Sequence, residues 1–356
     1  MDTEAFADHL FGSFLGGVDM LTITLGDQLG LYEALHHRGP LTAGELAETA
    51  GIAPRYAREW LEQQTVAGIL SVDDAELAAD ERRFAVPAEH VPVLVDQESL
   101  MYFRPFLTAV AGAAVQLPAL LKAYRTGGGV SWQQFGDLVR NAQAQGNRPL
   151  FLQVLGQEWL PSLPEIHRRL AAGGRVADIG CGEGWSAIGM ALAYPDIRVD
   201  GYDIDEASVE AANAHAEAYG VGERVTVHCV DAGHGAVDRE EGYDLVTAFE
   251  CVHDMGDPVS VLAQMREMAA PEGVVVVVDE RVPEKFTGAS DPMEQMFYGF
   301  STLICLPDGM SHEGSVGTGT VMRPDVLRGY AREAGFSDID VLPIEHEAFR
   351  VYQLVS

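Results

Sequence analysis

Residues 176–184 of this chain read Val-Ala-Asp-Ile-Gly-Cys-Gly-Glu-Gly, and this stretch decides the fold. Its first half has the apolar character of a buried strand, and its second half places three glycines at alternate positions. Glycine adopts backbone angles that other residues avoid, so Gly180, Gly182 and Gly184 allow a sharp turn and a close approach to a ligand. A strand that runs into such a turn is typical of a nucleotide-binding α/β domain.

The acids around this turn indicate which ligand it binds. Asp178 precedes the glycines, and Glu183 lies between the last two of them. A loop that cradles pyrophosphate presents bare N–H groups to an anion, and a carboxylate there would repel it. These acids suit a ligand with a cationic end and no phosphate. S-adenosylmethionine, which carries a sulfonium and an ammonium group, is such a ligand.

The size and charge of the chain limit its class. Its 356 residues leave room for a nucleotide-binding domain and accessory parts. The net charge of −31 opposes binding to nucleic acid or to an anionic membrane. The four cysteines lie far apart, which favours a reducing compartment and argues against a disulfide scaffold. With neither a basic-apolar leader nor a long apolar run, we expect a cytoplasmic protein without a membrane span.

The apolar pattern predicts three regions. Residues 1–95 contain a long helix, two short helices and a two-stranded hairpin, which predict a winged-helix module. Residues 96–172 are predicted to form a helical linker and substrate cap. Over 173–356, strands alternate with helices, which predicts an α/β, Rossmann-like sheet of seven strands. The segment 284–322, rich in Met, Phe, Gly and Pro, interrupts this alternation and is predicted to line a substrate pocket.

The strands of this sheet are predicted from apolar runs bounded by polar and glycine residues. They cover residues 174–179, 198–203, 224–230, 243–249, 273–279, 338–344 and 348–354. In a parallel sheet the carboxyl ends of neighbouring strands meet at one edge, where ligands bind.

Acids end the second and third predicted strands. Asp203 can accept hydrogen bonds from both ribose hydroxyls of a nucleotide, and Asp231 can accept one from an adenine amino group. Ile204 and Ala232 follow these acids, and Glu250 follows the fourth strand. We assign all five residues to the cofactor site.

A nicotinamide dinucleotide is the competing ligand, because it also uses a glycine turn and an acid after the second strand. Its usual glycine spacing is G-x-G-x-x-G. Here Gly184 comes one residue early and Trp185 occupies the expected position. The spacing therefore favours S-adenosylmethionine.

The fourth predicted strand leads into residues 249–258, Phe-Glu-Cys-Val-His-Asp-Met-Gly-Asp-Pro. Its end points to the same crevice, so His253 is expected beside the transferable methyl group. A neutral imidazole can take the proton of an acceptor hydroxyl, and such help contributes roughly 10²–10⁴ in rate. Asp279 or Asp254 can orient the ring. The alternative interpretation is that His253 and Asp254 only shape this loop.

These motifs resemble those of class I S-adenosylmethionine-dependent methyltransferases. The layout is similar to that of small-molecule O-methyltransferases of plants and bacterial antibiotic pathways, in which a dimer-forming winged-helix part precedes the catalytic domain. The resemblance is strongest over 174–283. It implies that the three glycines form the cofactor loop and that Asp203 and Asp231 bind the ribose and the adenine.

The resemblance also implies catalytic roles. His253 and Asp254 match the His-Asp pair of the family, whose histidine is the general base, and Asp279 falls where an acid positions that histidine. The third acid of the family falls near Val321, so the chain departs from the full pattern there. We hypothesise that residues 312–313, His-Glu, replace it.

The winged-helix module is predicted to serve dimerisation instead of DNA binding. Residues 41–75 hold two arginines and no lysine against six acids, whereas a groove-binding surface needs net positive charge. The apolar helix 11–25 would then be buried against a second subunit.

The sequence thus predicts a homodimeric cytoplasmic enzyme that methylates a hydroxyl of a small aromatic or polycyclic acceptor. We expect no metal, because no His, Asp or Glu cluster has convincing ligand spacing in the sequence. Two alternatives stay open: N- or C-methylation of a small molecule, and a winged-helix regulator that senses S-adenosylmethionine without turnover.

Overall fold

Residues 1–233 and 242–356 are described by a computed structural model, and they divide into two units. The first consists of Met1–Gly112 and Asp137–Pro149, and the second of Ala113–Gly136 and Leu150–Ser356. The division into 1–95, 96–172 and 173–356 stays a prediction.

The first unit contains the winged-helix arrangement. Its helices are Thr3–Gln28, Leu31–Arg38, Ala43–Ala50, Pro54–Val66 and Val91–Leu94, with a 3₁₀ turn at Ala88–His90 and the greater part of Arg104–Val115 and Trp132–Leu150. Strands β1 (Ser71–Val72) and β2 (Phe84–Ala85) pair antiparallel and form the wing. Thr42 begins the third helix as its N-cap and accepts a hydrogen bond from the N–H of Glu45, which stabilises the first turn.

The second unit contains the remaining helices. They are Leu117–Thr126, Phe151–Trp159, Leu160–Ser162, Pro164–Ala171, Trp185–Ala193, Glu206–Ala218, Val252–Asp254, Pro258–Met268, Pro292–Phe300, Ser301–Cys305, Leu306–Gly309 and Pro324–Glu333. Phe151–Trp159 and Ser301–Cys305 are π-helical, and Leu160–Ser162 and Val252–Asp254 are 3₁₀ turns.

The sheet of the second unit confirms the predicted α/β, Rossmann-like class. Its strands are β3 (Arg175–Ile179), β4 (Arg198–Asp203), β5 (Val225–Cys229), β6 (Tyr243–Phe249), β7 (Ala269–Glu280), β8 (Asp338–Val341) and β9 (Phe349–Val355). They lie in the order β5-β4-β3-β6-β7-β9-β8, and β3 to β7 are parallel. Strand β9 pairs antiparallel with both β7 and β8, so the last strand in the chain lies inside the sheet and β8 forms its edge.

This order fixes the position of the ligand crevice. From β3 the chain builds outward through β4 and β5, and then returns to place β6 on the other side of β3. Adjacent strands that lead in opposite directions leave a crevice at their carboxyl ends. The glycine turn after β3 and the His253 loop after β6 therefore lie at the same switch point.

The sheet is stable because both of its faces are buried. Residues 274–278 of β7 are five valines, each less than one-tenth exposed, as expected for a strand covered on both sides. The helices Pro258–Met268 and Pro324–Glu333 pack on one face through Met265 and Leu327. The crevice thus stands on a rigid support.

No single helix in the described part of the chain is long and apolar enough to cross a membrane. The pair Arg104–Val115 and Leu117–Thr126 meets the requirement only when its two helices are joined, by length and composition alone.

Candidate active site

The glycine turn after β3 holds three residues in left-handed conformation. The angle φ is +65° at Gly180, +52° at Gly182 and +80° at Gly184. A Cβ atom on Gly180 would lie 2.7 Å from Sγ of Cys251, whereas no atom of the described residues comes within 4 Å of a Cβ on Gly182. Gly180 is therefore required for packing, and Gly182 leaves open space for a ligand.

Asp203 is held against this turn by backbone N–H groups. Its Oδ2 accepts from the N–H of Gly182 at 2.8 Å, and its Oδ1 accepts from the N–H of Asp205 at 2.9 Å. A carboxylate has about four acceptor positions, so two remain for the ribose hydroxyls of the predicted ligand. The structure thus brings together the glycine turn and the first of the strand-end acids.

Asp178 lies beneath the turn. Its side chain is entirely buried, and its two oxygens accept hydrogen bonds from the hydroxyls of Ser186 at 2.5 Å and Thr247 at 2.7 Å. Burial raises the pKa of Asp178 to about 6. This carboxyl ties β3 to β6 and to the helix that follows the turn, so it shapes the site from below. A direct contact between Asp178 and a cationic ligand stays a prediction.

The residues predicted for the adenine lie farther along the same edge. Oδ1 of Asp231 accepts from the N–H of Gly233 at 2.8 Å, and Ala232 is buried beside it. Ile204, directly after Asp203, is 52% exposed, which is unusual for a large apolar residue at the end of a buried strand. An exposed apolar side chain at this point suits contact with a flat ring.

Glu250 joins β6 to the His253 loop in a strained conformation. Its φ is +51°, and it alone among the described residues other than glycine has a positive φ. Such a conformation costs on the order of 1–3 kcal/mol and persists only where the surroundings enforce it. Its N–H donates to the carbonyl of Val278 at 2.8 Å, which locks the loop to β7.

His253 lies among three carboxylates. Its Nδ1 is 3.0 Å from Oδ1 of Asp279 and 3.1 Å from Oε2 of Glu280, and its Nε2 is 3.3 Å from Oδ1 of Asp254. The imidazole is 2% exposed, and Asp279 and Glu280 are likewise buried. The structure therefore brings together the three residues predicted from the sequence and adds Glu280. The sequence signal for Glu280 is its position directly after Asp279, at the end of an apolar strand.

The charges in this cluster act strongly on one another. Burial by itself lowers the pKa of His253, but Asp254, Asp279 and Glu280 together outweigh burial and raise that pKa well above its ordinary value. Burial raises the pKa of Glu280 to about 7, with His253 acting against the shift and Asp279 adding to it. Burial also raises the pKa of Asp254. The protonation of His253 is therefore coupled to that of its neighbouring acids.

The segment 301–322 covers the His253 loop from outside the sheet. The N–H of Gly319 donates to the carbonyl of His253, and the N–H of Val316 donates to that of Gly256, both at 3.0 Å. Val321, at the position of the third family acid, is partly buried. The side chains of residues 312–313 are exposed, so the negative charge found at His253 comes from β7 instead.

A further buried acid belongs to the same segment. Oδ1 of Asp308 accepts from the backbone N–H of Trp132 at 2.6 Å, and burial, followed by the charge of Asp254, raises the pKa of Asp308 to about 8. Gly309, its neighbour, packs on the backbone of Asp254. No local pattern in the sequence indicates this acid, because its partners lie far away in the chain.

Two sets of potential ligand atoms meet at His253. Nitrogen, oxygen or sulfur atoms of His253, Asp254 and Cys305, and of His253, Asp279 and Glu280, lie within 4.8 Å of one another. Nδ1 of His253 and Oδ1 of Asp279 form a hydrogen bond at 3.0 Å. The expected absence of a metal, and the role of these residues in proton transfer, stay predictions.

The winged-helix unit offers little free positive charge. On the helix Pro54–Val66, Arg55 pairs with Glu59 and Arg58 pairs with Glu62. Arg82 of the wing also pairs with Glu62. These pairs neutralise the arginines that a groove-binding surface would need.

Comparison with known proteins identifies two regions of the chain. Residues 170–305 match a family model described as a methyltransferase domain, and residues 17–95 match one described as an Rv2258c-like winged HTH domain. The chain is 28% identical over 193 residues to 27-O-demethylrifamycin SV methyltransferase of Amycolatopsis mediterranei; the match covers 51% of this chain and 70% of that protein. It is 30% identical over 185 residues to the ubiquinone biosynthesis O-methyltransferase of Bordetella bronchiseptica, with the same coverage.

The fold is also similar to a solved structure over the whole chain. Human N-acetylserotonin methyltransferase in complex with S-adenosylmethionine has a TM-score of 0.70 and 17% identity, and the match covers 100% of this chain and 99% of that one. This likeness confirms the α/β sheet with a helical N-terminal part.

Proposed function

Because this chain belongs to the family of S-adenosylmethionine-dependent methyltransferases, we propose that it methylates a hydroxyl of a small aromatic or polycyclic acceptor, with His253 as general base. The hydrogen bond from Nδ1 of His253 to Asp279, at the switch point beside the glycine turn, carries the proposal. The Bordetella relative is an O-methyltransferase by name, and the Amycolatopsis relative is by name a methyltransferase of 27-O-demethylrifamycin SV, which supports oxygen as the atom methylated.

The residues of the crevice fit the cofactor. Open space at Gly182 admits a ligand against the backbone, and the carboxylates of Asp203 and Asp231 suit hydroxyl and amino groups. Ile204 offers an apolar surface to a ring. When bound, S-adenosylmethionine supplies an electrophilic methyl group on a positively charged sulfur.

His253 would take the proton of the acceptor hydroxyl at Nε2. The bond with Asp279 fixes the ring and holds a proton on Nδ1, so that Nε2 of the neutral form is the accepting nitrogen. Methyl transfer removes the positive charge of the sulfonium, and proton transfer creates one on the imidazole. The acids around His253 then stabilise that new charge.

Asp254 lies beside Nε2. Its side chain is partly exposed, whereas that of His253 is buried, and its Oδ1 faces Nε2 at 3.3 Å. An acceptor hydroxyl would therefore take over the contact between Asp254 and Nε2, with Asp254 close enough to hold the hydroxyl in place.

We also propose that the N-terminal helix forms a homodimer. Along Thr3–Gln28, one run of large apolar side chains is exposed at helical spacing, and such a stripe favours burial against a partner. Its members are Phe6, Leu10, Phe11, Phe14, Leu15, Val18, Leu21 and Leu25.

The test is transfer of a labelled methyl group. Purified protein is incubated with methyl-labelled S-adenosylmethionine and a panel of phenols and hydroxylated polycyclic compounds, and the extracted products are analysed by mass spectrometry. His253→Asn is expected to reduce turnover about 10²–10⁴-fold, while calorimetry finds the affinity for S-adenosylmethionine unchanged. His228→Asn is the matched control, because His228 lies on β5 beside Asp200 and is expected to leave turnover intact.

The outcomes separate the alternatives. Label found on nitrogen or carbon would reject oxygen as the acceptor atom, and full activity of His253→Asn would reject the base. Cofactor binding without transfer to any compound, together with specific duplex DNA binding at low salt, would favour the regulator.

A further inference from the structure

Two consecutive acids face the same nitrogen of His253. Neighbouring residues of a strand normally point to opposite faces of the sheet. Asp279 and Glu280 are the last two residues of β7 and both pair with β9, yet the side chains of both extend to the loop that holds His253. Both carboxylates thereby reach Nδ1 of His253, at 3.0 and 3.1 Å.

We propose that Glu280 is a positioning residue, a second counter-ion that stabilises the imidazolium of His253 after proton transfer. The proposal rests on the proposed function, in which the hydroxyl proton moves to Nε2. The acceptor oxygen bonds to the methyl carbon, the carbon–sulfur bond breaks with its electron pair staying on sulfur, and one positive charge passes from sulfur to His253.

Burial makes this charge pairing strong. Within the described residues, Oε2 of Glu280 and Oδ2 of Asp279 are buried without a hydrogen-bond partner. Oδ1 of Asp279 lies 3.0 Å from Nδ1 and Oε2 of Glu280 lies 3.1 Å from the same nitrogen, so both carboxylates interact with the charge of the ring. A buried carboxylate without hydrogen bonds is costly unless a cation is close, and protonated His253 is such a cation.

Other ionisable groups near the cluster are Arg350, Asp254 and Cys305, with Asp308 coupled to Asp254. Arg350 pairs with Asp279 in the ladder between β7 and β9, but its guanidinium donates to the carbonyl of Val282 and the hydroxyl of Tyr352. Asp254 faces the opposite nitrogen of the ring. Burial raises the pKa of Cys305 to about 12, so this thiol is neutral.

Glu280 also accounts for the departure at Val321. The resemblance implies a third acid at that position, and here the side chain is apolar. The backbone of the same segment still reaches the loop, through the bond from Gly319 to the carbonyl of His253. Glu280 supplies from β7 the negative charge that the segment lacks.

The pKa directions agree with this role. Burial lowers the pKa of His253, and the neighbouring acids reverse that effect and raise it. Removal of one carboxylate must therefore lower the pKa of His253, by about one to three units for a charge at this distance. The neutral, proton-accepting form would then extend to lower pH.

The experiment measures the pKa of His253 directly, without an acceptor. The full-length protein is labelled with ¹³C in its histidine side chains, bound to S-adenosylhomocysteine and titrated by NMR; the signal of His253 is the one missing in His253→Asn. Glu280→Gln is expected to lower the pKa of His253 by about one unit or more. Glu272→Gln is the matched control, because Glu272 is an exposed acid at the far end of β7, and no shift is expected.

An unchanged pKa of His253 in Glu280→Gln would overturn the proposal, as would an ordinary pKa of His253 in the unaltered protein. If Glu280→Gln does not fold, Glu280→Asp withdraws the carboxylate from Nδ1 and is expected to lower the pKa in the same direction, by less. The proposed function can fail separately. If the pKa of His253 shifts as expected but no compound is methylated, the methyltransferase activity is rejected, while the charge pair between Glu280 and His253 is retained.

Discussion

Gly180→Ala should destabilise the second unit more than Gly182→Ala does. Two costs add up when alanine replaces Gly180. The backbone there has a left-handed φ of +65°, and the new Cβ would lie 2.7 Å from Sγ of Cys251. The left-handed conformation costs about 1–2 kcal/mol for an L-residue, and overpacking against a close neighbour costs about 1–3 kcal/mol. We therefore expect the free energy of unfolding to fall by about 2–5 kcal/mol.

Gly182→Ala isolates the conformational part of this cost. Its φ is also positive, at +52°, but its Cβ would meet no atom of the described residues within 4 Å. We expect a loss of about 1–2 kcal/mol, together with weaker binding of S-adenosylmethionine, because the methyl group enters the ligand space. Gly180→Ala combined with Cys251→Ala should recover a part of the overpacking cost, since Sγ is removed while Cβ of residue 251 stays 2.9 Å from the new methyl group.

Urea denaturation of the three variants and of Cys251→Ala gives the free energies as a double-mutant cycle. Equal losses for Gly180→Ala and Gly182→Ala would refute the steric reasoning. So would additivity in the cycle, since it would mean that the alanine methyl and the thiol do not meet.

The remaining predictions concern the proton, the cofactor and the dimer. Asp279→Asn should lower kcat about 10- to 100-fold, because a hydrogen bond to a charged group contributes roughly 1.5–3 kcal/mol; retention of kcat would contradict the positioning of the base. The rate should rise with pH through the raised pKa of His253, since only the neutral imidazole accepts a proton, and a pH-independent rate would exclude that step. Asp203→Asn should weaken binding of S-adenosylmethionine about tenfold by calorimetry, as expected for loss of a charge-assisted hydrogen bond; unchanged affinity would remove Asp203 from the site. Phe14→Glu should convert dimers to monomers in light scattering while the equally non-conservative Phe286→Glu does not, and a protein monomeric before substitution would reject the dimer.

Much of the fold could be predicted because its signals are local. Strand β3, its three glycines and the alternation of apolar runs with helices each depend on residues close together in the chain. Parallel strands bring their carboxyl ends to one edge, so Asp203 and Asp231 could be assigned to a common site before any contact was known. The last two strands were also predicted, but not that β9 lies between β7 and β8.

The details of the candidate site could not be predicted in the same way. Asp178 looked like an acid open to the ligand, yet its oxygens are occupied by the hydroxyls of Ser186 and Thr247. Whether an acid faces a crevice or the core depends on how side chains of separate elements pack together. The spacing of residues along the sequence does not predict that packing. Asp308 illustrates the same limit, since it bonds a backbone N–H 176 positions away.

The sequence by itself determined the class of the protein: an acidic chain with a glycine turn, strand-end acids and a His-Asp pair on a sheet that binds S-adenosylmethionine. Those properties follow from local pattern and from the geometry that every parallel sheet shares. Only the tertiary structure decided the electrostatics of the base. Asp279 and Glu280 at the end of β7 both reach Nδ1 of His253, and the low polarity of the core magnifies their effect on that ring. Distance and burial set that effect, and both arise only when the strands pack.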